Sequence, residues 1–78
     1  MTEQELQQLD GWLDDVFTYH PATEADQKAY GAIRARAKDL VRTIVMLTPT
    51  CADQSAAIRK VREAVMTANA AVALKGRV

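Results

Sequence analysis

From Ala64 to Leu74 the chain reads AVMTANAAVAL, a stretch without a charge in which only Thr67 and Asn69 are polar. A helix of this content is apolar on every side, and such a helix is buried on every side. A chain of 78 residues supplies at most two further helices, too few to surround it. The alanines let helix backbones approach one another closely. The stretch therefore points to helices packed on helices, with copies of the same chain completing the packing. The expected fold is all-α, a long antiparallel helical hairpin with a short N-terminal helix, assembling into a homo-oligomer.

Periodicity places the elements within one helical domain spanning residues 1–78. The first helix is expected over about 3–15, where Thr2 and Glu5 form a capping-box pattern and Leu6, Leu9, Leu13 and Val16 recur at helical spacing. Trp12 and Phe17 read as anchors fixing this helix to the rest. A second helix is expected over about 24–47, opened by Thr23 and Asp26 and closed before Pro49, which disfavours helical geometry at Thr48. Its seam is Tyr30, Ile33, Ala37, Leu40, Ile44 and Leu47, on a rod about 36 Å long. The third helix is expected over about 53–74, with Ile58, Val61, Val65, Ala68 and Val72 as its seam and Gly76 as its stop. A short connection makes the last two helices antiparallel neighbours. Cys51, within it, reads as a small apolar plug.

So small a chain rarely draws more than roughly 3–5 kcal/mol from a core of its own. One cysteine forms no internal disulfide, and no Cys/His cluster offers a structural metal site. Oligomerisation is the remaining staple. The segment MTEQELQQLDGW lacks the basic and apolar regions of a signal peptide, and no apolar run approaches the roughly 20 residues of a membrane span. The expected location is the cytoplasm, with no membrane partner.

Zero net charge hides a division. Residues 1–26 carry seven acids and neither Lys nor Arg, whereas residues 27–78 carry all ten basic residues against three acids. Either the basic part meets an anionic partner, or the acidic first helix packs against it.

The segment FTYHPATEADQKAYGAIR, residues 17–34, combines an extended strap with a helix start. Pro21 fixes its own φ and holds His20 extended, so Tyr19 and His20 sit on a rigid strap just before a helix carrying Tyr30, Arg34 and Arg36. Aromatic faces and guanidinium planes in proximity suit a nucleobase and its phosphate. Helix packing accounts for the same residues, and Arg34, Arg36 and Arg62, beside the helical seams, suit ion pairs as well as an anion. No catalytic constellation, glycine-rich phosphate loop, cofactor motif or metal-ligand pattern is present; His20 is the only histidine. The chain reads as a binder rather than an enzyme.

The strap FTYHPAT, then Tyr30, Ile33 and Arg34, then SAAIRKVREAVMTANAAVA, resemble the small phage proteins that act as cyclic-oligonucleotide sponges against CBASS immunity. The resemblance implies paired helical protomers in a homohexamer working in the host bacterial cytoplasm. It implies pockets for cyclic dinucleotides at protomer interfaces and separate pockets for cyclic trinucleotides. The family's binding tyrosine falls on Tyr19, with His20 and Pro21 beside it, and its basic partner on Arg34, where lysine is usual. Arg36 and Arg62 are candidates for the second pocket. Thr67 replaces a family tryptophan, and the acidic first helix is longer than the family's short N-terminus.

The competing expectation is an oligomeric helical adaptor that binds protein and no nucleotide. Zero net charge and the lack of a basic run argue against a DNA or RNA polymer as partner.

Overall fold

The computed structural model describes residues 1–77. Three helices follow in order, α1 over Glu3–Phe17, α2 over Glu24–Leu47 and α3 over Ala52–Leu74, with no strand among the described residues. Both capping boxes form. Thr2 accepts from the Glu5 amide while the Glu5 carboxylate accepts from the Thr2 amide. Thr23 and Asp26 exchange the same pair of bonds at 3.1 Å each, so two donors orphaned at each helix start are satisfied locally. The helix α1 runs two residues past its expected end and is closed by Thr18, whose amide donates to the Asp14 carbonyl. Extended Thr48 ends α2 ahead of Pro49, and Lys75, left-handed at φ 54°, ends α3 together with Gly76 at φ 79°.

The helices α2 and α3 pack as the antiparallel hairpin, and α1 touches it chiefly through its last turn. The result is a flat, long body of 55 × 33 × 15 Å with a radius of gyration of 17.5 Å. A compact chain of this length would measure about 11.5 Å. No apolar side chain among the described residues is buried; Asp26, 6% exposed, alone is. The hairpin seam is half-buried at Ile33, Ala37, Ile44, Val61 and Val65, but its outer members stand open, Leu40 at 50% and Leu47 at 79%. In the charge-free stretch Met66 is 63% exposed.

Three expectations about packing are corrected. Trp12 and Phe17 are not anchors within the chain, because α1 diverges from the hairpin and leaves them 48% and 78% exposed. Cys51 is not a plug: it is exposed, the connection passing over the tip of the hairpin rather than beneath it. Its side chain makes no capping bond to α3. The acidic segment does not lie along the basic helices either; among the described residues its ion pairs with them are Asp26 with Lys75 and Asp15 with Arg77. No described helix is long and apolar enough to cross a membrane.

Candidate functional site

The strap between α1 and α2 is tied at both ends. At its start the Thr18 hydroxyl donates to the Asp14 carbonyl. His20 then folds back, its Nε2 lying 2.6 Å from the Asp15 carbonyl. A carbonyl only accepts, so Nε2 carries the proton and donates. At its far end Thr23 and Asp26 lock the first turn of α2. Between these ties Tyr19 stands out, 83% exposed, in front of a cleft of about 470 Å³. Val16, His20 and Ala22 form one wall of that cleft, and Tyr30, Asn69 and Ala73 the other. Asn69 Oδ1 is shut off from solvent without a hydrogen-bond partner. A buried acceptor left unpaired costs about 1–3 kcal/mol.

Two ion pairs brace the same end of the molecule. Lys75 Nζ lies 2.5 Å from Asp26 Oδ1, and Arg77 Nε lies 3.2 Å from Asp15 Oδ2. The Lys75 hydrogen bond, then the backbone bond at Thr23, hold the Asp26 carboxylate below its ordinary pKa. This end of the hairpin is thereby fastened to the C-terminal end of α1, and the strap hangs from both.

Arg34 lies elsewhere. It lines a cleft of about 680 Å³ on one face of the hairpin, with Lys38 and Arg42 following it at four-residue steps on α2 and Arg62 facing them from α3. Val41, Ile58 and Val65 form an apolar floor. Like charges four residues apart on a helix cost roughly 0.2–0.5 kcal/mol per pair. Arg42 is relieved by Asp39 at 3.0 Å, and among the described residues no carboxylate pairs with Arg34, Lys38 or Arg62. Arg36 lines a third cleft, of about 430 Å³ on a different face, with Lys60.

One chain thus brings Tyr19, His20 and Tyr30 together, and separately Arg34 and Arg62. It does not bring Tyr19 to Arg34, or Arg36 to Arg62. Pro21 is exposed on the strap. Asn69 joins the Tyr19 cleft without being a candidate from sequence, although a polar side chain amid AVMTANAAVAL was the available signal. Among the described residues no three His, Cys, Asp or Glu side chains gather as a metal site requires.

A tied strap presenting an exposed tyrosine, joined to a two-helix hairpin, is also the segment that comparison with known families matches. Residues 13–73 fit the family model described as "Acb2/Tad1, hairpin domain". The chain belongs to the Acb2/Tad1 hairpin family. This is the anti-CBASS sponge family that the FTYHPAT strap and the last helix resemble. The Acb2/Tad1 match takes in the strap, all of α2 and nearly all of α3, and leaves residues 3–12 of α1 outside it. No individual curated protein and no solved structure matches the chain.

Proposed function

We propose that this protein binds cyclic oligonucleotide second messengers and sequesters them unchanged, denying them to the effectors of CBASS immunity in the host cytoplasm. The observation that carries the reading is the exposed Tyr19 ring on a strap tied at both ends, within a chain of the Acb2/Tad1 family. A strap held in place before its ligand arrives loses little entropy on binding.

A cyclic dinucleotide has two base faces and two phosphates, and a two-fold interface between copies supplies two tyrosines and two arginines. Tyr19 stacks on the base and Arg34 of a neighbouring protomer meets the phosphate, which suits their separation within one chain. His20 and Pro21 shape the strap, and Arg62, facing the cleft of Arg34, adds positive charge. Cyclic trinucleotides take a separate pocket of the same assembly, a homohexamer. Nothing in this scheme requires turnover, since affinity and copy number alone decide how much messenger stays free.

The test is to incubate the protein with a panel of cyclic di- and trinucleotides, remove unbound material, digest the protein and identify what is released. Intact cyclic nucleotide is expected. Linear or mononucleotide products would make the protein an enzyme. If no member of the panel is retained, an adaptor takes its place, a reading that the exposed Trp12, Phe17 and Leu47 favour as protein-binding surface.

A further inference from the structure

The first three turns of α1 stand away from the hairpin and carry an apolar stripe that is open at Leu6 and Leu9 and half-buried at Leu13. At about 100° per residue, Leu6, Leu9 and Leu13 fall on one face. Glu5 borders that stripe on one side, and Glu3 and Asp10 border it on the other. Leu6 is 47% exposed and Leu9 36%, with Trp12 beside them at 48%. The arm cannot fold back onto its own hairpin without breaking the ties at its end, Asp15 to Arg77 and His20 to the Asp15 carbonyl.

The third cleft is the complement of that arm. Its floor is Ile33, Ala37 and Leu40 from α2 and Ala64 and Ala68 from α3, so small residues admit a helix closely. Its charged lining is Arg36 on the α2 side and Lys60 on the α3 side, with no acid. The groove extends over eight residues of α2 (33–40) and nine of α3 (60–68), about 10–12 Å, or two turns of a docked helix. A stripe bordered by acids on both sides is thus opposite in charge to a groove bordered by a cation on both sides.

We propose that α1 of one copy docks into the Arg36–Lys60 groove of a second copy. The acids of residues 3–10, which pair with no cation among the described residues, then find one in the neighbour, and Leu6, Leu9 and Leu40 leave water together. Residues 1–12 precede the segment matched to the hairpin family. The inference is independent of which ligand, if any, the Tyr19 cleft takes.

Paired cysteines test it. Two proteins with Cys51→Ser, one carrying Leu9→Cys and the other Ala64→Cys, are unfolded together, refolded at equal concentration and oxidised. The expected product is a cross-linked pair of twice 8.6 kDa in which the mixed Leu9→Cys/Ala64→Cys disulfide exceeds either homodisulfide several-fold. Mixed and homodisulfides in statistical proportion, or no cross-link, would overturn the docking. Arg36→Glu with Lys60→Glu in the second protein is expected to abolish the mixed cross-link, and Glu5→Lys with Asp10→Lys in the first to restore it. Restoration is something that a general loss of stability does not produce. A cross-link indifferent to the reversal would overturn the charge pairing, and if the reversed chain does not refold, the unreversed pair still decides.

Discussion

Lys75 reaches across 49 residues of sequence to place its Nζ 2.5 Å from Oδ1 of Asp26, the one buried residue among those described. One partner is the side chain that closes the capping box of α2, and the other is the left-handed residue that ends α3. A single ion pair therefore joins the N-terminus of one hairpin helix to the C-terminus of the other, each charge at the dipole end that favours it.

Acid should undo this brace. The Asp26 carboxyl titrates below its ordinary 3.8 in the folded chain. The stability it contributes is fully present above that value and is lost as the pH falls through the lower, folded one. Relative to wild type, Asp26→Asn is expected to melt at a lower temperature near neutrality. The difference should shrink as the pH is taken below 3.8. Thermal melts of both proteins followed by circular dichroism between pH 7 and pH 2 check it.

The cap itself can be removed separately. Thr23→Val keeps the shape of the side chain but gives no acceptor to the Asp26 amide, and is expected to cost about 1 kcal/mol of stability. Because Thr23 also closes the Tyr19 strap, nucleotide affinity should fall with it in calorimetric titration. An unchanged affinity would mean that the strap is held by its His20 end alone.

Tyr19→Ala is expected to weaken binding of a cyclic dinucleotide by roughly 1–3 kcal/mol per stacked base. Tyr19→Phe should be mild, since the ring face is what stacks. Arg34→Ala should weaken binding and flatten its dependence on salt, because fewer phosphate contacts remain. Titration calorimetry at two salt concentrations reads all three effects. Variants that stay folded and bind as tightly as wild type would remove these two residues from the site.

Asn69→Leu is expected to raise the melting temperature, since it exchanges an unpaired buried acceptor for an apolar group of similar size. A gain near 1 kcal/mol would show that the amide is not held for stability. A loss instead would reveal a partner for Asn69 in the assembled protein.

Ala68→Glu puts a charge into the half-buried seam of α3 and is expected to dissociate or unfold the protein. Light scattering after size exclusion checks both proteins, wild type being expected well above the 8.6 kDa of one chain. A wild-type mass near that value would remove every interfacial pocket at once.

The helices were legible because their limits are written locally. Thr2 with Glu5, Thr23 with Asp26, and Pro49 each act within four residues of the boundary they set. The strap was legible for the same reason, Pro21 constraining His20 next to it. What could not be read was anything that depends on distant neighbours. Lys75 gives no local sign of Asp26, and Asn69 none of the cleft it shares with Tyr30. Trp12, Phe17 and Cys51 look like core by composition, but side chains are buried only where another surface exists to cover them. In a body 15 Å thick most of that surface is missing.

A chain in which no described apolar side chain is fully buried draws little stability from a core of its own. If copies supply the missing cover, forming the hairpin and meeting another chain become one event, and its midpoint shifts with the amount of protein present. Dilution then acts as a denaturant. Early in expression, when copies are few, new chains would be exposed to proteolysis, and the working population would rise more steeply than the count of chains made.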